Sequence, residues 1–373
     1  MNSRKFFFWF HLIIGCSTAV FIFLMSITGV ALTYERQIIQ SAQRSDYPVI
    51  PSENAIRLPL DDIIEIAKPY QGEKTLSISF ANEINAPFVI KAGRKTLAYI
   101  NPFTGDILSE PASETKLLLA KLRAFHRWLT LDGKFSDTGR WVNGIANVCF
   151  LLLTLSGLYL WLPAKFKKRA FKQKLTLSKS HQSSHARDYQ WHNTFGFYMA
   201  PLLIVITATA MFFSFKWPSE TLKSLVSLEQ QTQPKAQILS AAEQPLQLSM
   251  QALFSKVAST SINWQSISFS IAKQPQHLQK FYVDMGNGGE PQKKSALIIN
   301  TINANVIELQ TFEDNSTYRK VRSYIRFLHT GEVFGVVGQT IAGLASLLAC
   351  LLVYTGIAMS WRRWQKSRKS VEY

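Results

Sequence analysis

Seven histidines are spread over the 373 residues, and four of them recur in matched settings. His11 and His192 each open an H-x3-G pattern, with Gly15 and Gly196, followed at equal offset by Thr28-Gly29 and Thr209-Ala210. Arg123-Ala-Phe-His126 and Arg326-Phe-Leu-His329 each precede Phe-x3-Gly, ending at Gly139 and Gly338, with a further glycine 18 residues on, at Gly157 and Gly356. Eighteen residues are five helical turns, so His11 and Gly29 share a helix face, and Gly15 lies within about 40° of it. Neutral imidazole is an axial ligand for haem iron, and glycine lets a flat macrocycle approach the backbone. The pattern therefore predicts two six-coordinate haems, one held by His11 and His192, the other by His126 and His329. Gly15, Gly196, Gly157 and Gly356 line the first haem. Arg123 and Arg326, one turn before their histidines, pair with haem propionates. No Cys-x-x-Cys-His occurs, which excludes covalent haem c and leaves haem b. Any one of these histidines alone fits helix packing or a headgroup contact better than ligation. The recurrence by layer is what favours ligation.

The elements that must position them are long and apolar. Residues 6–32, 142–162, 195–215 and 335–359 contain no Asp, Glu, Lys or Arg, and each is long enough to cross a hydrocarbon core of about 30 Å. The first follows Arg4 and Lys5 as a signal peptide would, but its apolar run exceeds the usual h-region of about 7–15 residues, so it reads as a retained helix. The chain is 47% apolar and 17% charged, with net charge +17, against about 25% charged for a soluble domain. The N-tail, the loop at 163–190 and the C-tail hold 15 Lys/Arg against two acids, Asp188 and Glu372. The positive-inside rule puts these pieces in the cytoplasm and exports 33–141 and 216–334. The basic excess is thus topological, and nucleic acid is excluded as its explanation. The run at 165–174 reads as a lipid-headgroup determinant. All nine Trp except Trp264 lie in or near span ends, and Cys16, Cys149 and Cys350 lie inside spans. On this orientation His11 and His192 are cytoplasmic-side, His126 and His329 exported-side. His185, seven residues before His192, competes as a ligand but reads better as a solvated loop residue. His277 has no counterpart.

The exported segments match each other too. Pro59-Leu60 and Pro245-Leu246 open helical stretches at 61–67 and 248–257, each leading to the same tetrapeptide, Ser77-Ile-Ser-Phe80 and Ser266-Ile-Ser-Phe269. Alternating strands follow at 88–91, 96–100 and 106–108, and at 280–284, 296–300 and 306–309, separated by turn signals. Asp61, Asp62 and Glu65 read as a solvated helix face. The fold class is a membrane α-helical four-span bundle made by internal duplication, with two exported α+β domains. The boundaries are 1–34 (first span), 35–115 (first exported domain), 116–162 (amphipathic segment and second span), 163–190 (cytoplasmic loop), 191–216 (third span), 217–318 (second exported domain), 319–361 (amphipathic segment and fourth span) and 362–373 (cytoplasmic tail).

Ala98-Tyr-Ile-Asn-Pro-Phe-Thr-Gly-Asp-Ile-Leu108 resembles the strand-turn-strand ending of PepSY domains, and His11…Thr28-Gly29 with Leu155-Ser-Gly-Leu-Tyr-Leu-Trp161 resembles PepSY-associated transmembrane helices. The resemblance covers nearly the whole chain and implies an iron-regulated protein of a Gram-negative inner membrane with two periplasmic PepSY domains. In the ferric-siderophore-reductase branch it implies two haems b that pass electrons from a cytoplasmic reductant or quinol to a ferric siderophore delivered by an outer-membrane uptake system. Such electron transfer needs no catalytic acid or base. Arg123, Arg127, Arg326, Lys121 and Arg322 would attract an anionic chelate. The departure is Asn300-Thr-Ile-Asn-Ala-Asn305, which lacks the Pro, Thr and Gly of the first turn and marks the second domain as degenerate or specialised for a partner. The rival reading is a haem-free sensor whose PepSY domains engage a peptide, a protease or an uptake receptor. A transporter of the chelate itself is disfavoured by four uncharged spans.

Overall fold

Helices form wherever the apolar runs allow every backbone polar group to be satisfied internally. The structure is a computed structural model describing residues 3–72, 74–130, 133–163, 168–226, 247–272 and 276–369. Pro245-Leu246, residues 165–167 of the basic run and Glu372 lie outside the described residues. In chain order the elements are α1 (Ser3–Leu32), α2 (Glu35–Ser45), α3 (Leu60–Ala67), β1 (Leu76–Ala81), β2 (Phe88–Ala92), β3 (Lys95–Ile100), β4 (Ile107–Leu108), α4 (Ser113–Trp128), α5 (Ser136–Trp161), α6 (Lys168–Leu175) and α7 (Ser184–Ser214). There follow α8 (Trp217–Val226), α9 (Met250–Thr260), β5 (Ser266–Ser270), β6 (Leu278–Asp284), β7 (Lys294–Asn300), β8 (Val306–Gln310), α10 (Thr317–Thr330) and α11 (Gly335–Lys369). The chain divides into two units, one of Met1–Glu35, Leu117–Leu225 and Tyr324–Tyr373, the other of Arg36–Lys116 and Val226–Ser323.

In the first unit four helical stretches are long and apolar enough to cross a membrane: Ser3–Leu32, Ser136–Trp161, Ser184–Ser214 and Glu332–Arg368. Helix α1 packs on α5 and α11, and α7 packs on the same two, so α1 and α7 occupy opposite corners of a four-helix ring. Helix α7 begins well before residue 195, where the apolar run starts, because Ser183 caps it by accepting from the Ala186 N–H. His192 is therefore inside a helix and not at its entrance. Two close approaches bring the amphipathic helices back onto the spans they precede. A side chain at Gly139 would collide with the Trp128 carbonyl at the end of α4, and one at Gly338 with the Gly331 carbonyl just past α10. Glycine at these two positions lets α4 and α10 turn tightly into α5 and α11, which holds His126 and His329 beside the ring.

The second unit is built on one antiparallel sheet in the order β4-β3-β2-β1-β5-β6-β7-β8. The sequence places two separate α+β domains here; the structure joins their strands through the twin tetrapeptides. Ile78 lies opposite Phe269 and Phe80 opposite Ile267 in the β1–β5 register. The reason is physical: each tetrapeptide is otherwise an unpaired sheet edge, and pairing also pools the buried Ile78, Phe80, Ile267 and Phe269 in one core with Leu60, Ile63, Leu253 and Val257 of α3 and α9. Those two helices cap each other. The Asp61 carboxylate accepts from the Met250 N–H (2.8 Å) and the Gln251 N–H (3.1 Å), and the Gln251 amide oxygen accepts from the Leu60 N–H (3.1 Å). Asp61 is thus an N-terminal cap for α9 and not part of a solvated face. The two turns that differ in sequence close alike. Asn101 and Asn300 each accept two residues on, from Phe103 N–H (2.9 Å) and Ile302 N–H (2.8 Å). Gly105 (φ 79°) and Ala304 (φ 54°) then take the same left-handed conformation, so the second turn keeps its shape without Pro or Gly.

Candidate functional site

At the starting ends of α1 and α7 two imidazoles meet across the ring. The His11 and His192 ring centroids are 6.3 Å apart with planes at 84°. Each ring is steadied by the neighbouring helix: His11 Nδ1 lies 2.9 Å from Ser156 Oγ on α5, and His192 Nδ1 lies 2.9 Å from Thr355 Oγ1 on α11.

Near the far ends of α1 and α7 stands a second pair, carried by the amphipathic helices. His126 Nδ1 lies 2.8 Å from Thr28 Oγ1 on α1. His329 Nδ1 lies 3.0 Å from the Ile206 carbonyl and 3.3 Å from Thr209 Oγ1, both on α7. The Phe213 ring packs edge-on against His329 at 5.2 Å. Asn143, buried on α5, donates to the His126 carbonyl (2.8 Å) and so pins the end of α4 that carries the ligand candidate. Residues 11 and 28 are separated by about 25 Å of helical rise, which places the two pairs toward opposite faces of a bilayer core. Every contact named here falls within the first unit.

The structure gives the conspicuous glycines neighbours of their own. A Cβ at Gly157 would stand 3.2 Å from His11 Cε1, one at Gly356 3.4 Å from His192 Cε1, and one at Gly29 3.6 Å from His126 Cε1. These glycines admit an imidazole edge, because Nδ1 has to reach the hydroxyl of the preceding residue. Gly15 and Gly196 face Leu153 and Leu352 side chains at 3.6 and 3.7 Å. Arg123 is paired with Glu35, whereas the exposed Arg326 guanidinium lies over Phe327 at 5.2 Å. Arg127 has no carboxylate partner among the described residues. Burial, then the charges of Arg123, Arg140 and Arg326, holds its guanidinium below the usual value. His185 is exposed on the first turn of α7, and His181 lines an open polar cleft with Lys174, Tyr189 and Asn193.

Sequence reasoning passed over Ser156, Thr355, Asn143 and Asp188. Asp188, one turn before His192, is fully buried between Arg362 (2.7 Å) and Arg187 (3.0 Å). The signal for the hydroxyls was present: Thr28-Gly29, Ser156-Gly157, Thr209-Ala210 and Thr355-Gly356 are all hydroxyl-small pairs.

Among the described residues, no three His, Cys, Asp or Glu side chains converge as a metal site. A pair of imidazoles supplies two nitrogen ligands, so any metal held there must bring its remaining ligands with it. A family described as the PepSY-associated TM region matches residues 8–363. No curated protein matches the chain.

Proposed function

The chain belongs to the PepSY-associated TM family, and from that premise we propose that it is a di-haem b electron carrier of a Gram-negative inner membrane that reduces ferric siderophores in the periplasm. Its two halves arose by duplication, its short basic pieces face the cytoplasm, and its sheet-bearing segments are periplasmic PepSY domains. The observation that carries the reading is the His11–His192 pair. Two metal–imidazole bonds of about 2 Å plus the half-width of each ring come to about 6 Å between centroids, the separation at which both rings could ligate one haem iron. The observed 6.3 Å fits. The free nitrogen also fits: each Nδ1 is engaged, and among the described residues no partner reaches any of the four Nε2 atoms.

His11 and His192 hold the cytoplasmic-side haem in this reading, and His126 and His329 the periplasmic-side one. Bound there, haem supplies reversible one-electron transfer between a cytoplasmic reductant or quinol and the far face of the membrane. The chain sets ligand basicity and burial, keeps water from the apolar bundle between the pairs, and presents Arg127 and Arg326 to propionates or to an anionic chelate. Iron in the siderophore is the substrate: as Fe(II) it is held less tightly by hard oxygen ligands and is released.

The test is haem content and reduction by the purified full-length protein. Two haems per chain are expected, with a Soret band that shifts on reduction and reoxidation by a ferric hydroxamate or catecholate. His126→Ala is expected to leave one haem and to abolish chelate reduction. A protein without a Soret band after expression with ample haem would overturn the proposal and favour a haem-free PepSY sensor.

A further inference from the structure

We infer that Ser156, Thr355 and Thr28 are positioning residues that hold His11, His192 and His126 as Nδ1–H tautomers and lower the reduction potential of the iron they ligate, while at His329 the Ile206 carbonyl does this in place of Thr209. This rests on the haem reading above. A hydroxyl has one proton to give and lone pairs to accept with. In all four cases that proton is directed at the hydroxyl's own helix. Ser156 Oγ donates to Leu153 O (3.2 Å), Thr355 Oγ1 to Leu351 O (2.8 Å), Thr28 Oγ1 to Leu24 O (2.6 Å) and Thr209 Oγ1 to Val205 O (2.6 Å). The oxygen can then only accept from the imidazole, so Nδ1 carries the proton and Nε2 keeps its lone pair free for a metal.

This back-bonding is the usual way a Ser or Thr satisfies itself inside an apolar helix, and here it orients a second group. A donating Nδ1–H makes the imidazole more basic, which favours Fe(III) over Fe(II). The glycine after the hydroxyl matters most at Gly157, where a Cβ would crowd His11 at 3.2 Å; at Gly356 and Gly29 a Cβ would stand at contact distance from the ring, 3.4 and 3.6 Å. At the fourth seat the hydroxyl contact lengthens to 3.3 Å and a backbone carbonyl stands at 3.0 Å. A carbonyl accepts without help from a side chain, so Thr209 is dispensable.

Redox titration of the purified full-length protein tests this with Ser156→Ala, Thr355→Val, Thr28→Val and Thr209→Val, and with Thr355→Ser as the conservative variant. Ser156→Ala and Thr355→Val are expected to retain both haems while the potential of one moves positive. Thr28→Val is expected to move the other haem, and Thr355→Ser to restore the wild-type potential. Thr209→Val is expected to leave both potentials unchanged. Loss of a haem in Thr355→Val with retention in Thr355→Ser also supports the assignment, since only the hydroxyl separates them. Unchanged potentials in Thr355→Val and Thr28→Val, or equal haem loss in Thr355→Val and Thr355→Ser, would overturn it. Wild-type protein without haem would sink the parent reading, and this one with it.

Discussion

Among the polar side chains placed in the apolar bundle of this protein, Asp188 shows how strongly partners constrain a residue's position. Its carboxylate is fully buried and touches two guanidinium groups, Arg362 from α11 and Arg187 beside it. In the sequence it is one acid in a basic loop, and its spacing carries nothing that forecasts burial. Once α7 starts at Ser184, Asp188 falls on the same face as His192 and ties the start of α7 to the end of α11. Asp188→Asn leaves two arginines without their counter-charge and is expected to destabilise the protein by about 3 kcal/mol, the lower end for a broken buried pair because both guanidinium groups keep some access to solvent. Thermal unfolding in detergent reads this, and an unchanged midpoint would show that the pair contributes nothing. The arginines divide in the same way. Arg123 is neutralised by Glu35, whereas Arg127 has no carboxylate partner among the described residues.

At the scale of elements, the eight-stranded sheet owes its order to caps and turns as much as to strand alternation. The strand periods are legible in the sequence because apolar residues alternate through 76–80 and 266–269, and the observed strands bury those positions. The caps are not legible, since Asp61 serves a helix that starts 189 residues later. Asp61→Ala leaves the Ser249 cap of α9 in place but removes the acceptor for the Met250 and Gln251 N–H groups, and is expected to cost about 1 kcal/mol, measurable by chemical unfolding of the full chain. The matched turns give a prediction of opposite sign. Ala304 sits at φ 54° where Gly105 sits at φ 79°, and the left-handed region costs a residue with a Cβ about 1 kcal/mol. Ala304→Gly is therefore expected to stabilise the fold slightly; destabilisation would mean that Ala304 packing outweighs the strain. Arg57 supplies a third fixture. It donates to the Ile84 and Ala86 carbonyls (2.9 and 3.0 Å) and to that of Glu83, and lies over the Phe80 and Phe88 rings. Burial pulls its guanidinium down to about 10, still charged at neutral pH.

For the whole molecule, the four-span topology and the asymmetry of positive charge make a claim that labelling can check. Lys95 lies at the exposed start of β3 and Lys179 in the exposed loop between α6 and α7. With membrane-impermeant maleimide on spheroplasts, Lys95→Cys is expected to react at once and Lys179→Cys only after permeabilisation. The reverse pattern would invert the topology. The three native cysteines lie in spans and give a low background.

Periodicity and composition along the chain determined the spans, the strand faces, the family resemblance and the matched histidines, because each depends only on which residues lie a fixed number of turns or strand steps apart. Which partner each element takes was decided in three dimensions. Two halves with nearly the same pattern can pair within themselves or with each other, and the pattern is indifferent to the choice. The degeneracy is lifted by the cost of leaving a sheet edge or a buried polar atom unpaired, which sends β1 to β5, Asp61 to α9, three of the imidazoles to hydroxyls and the fourth to a backbone carbonyl on neighbouring helices.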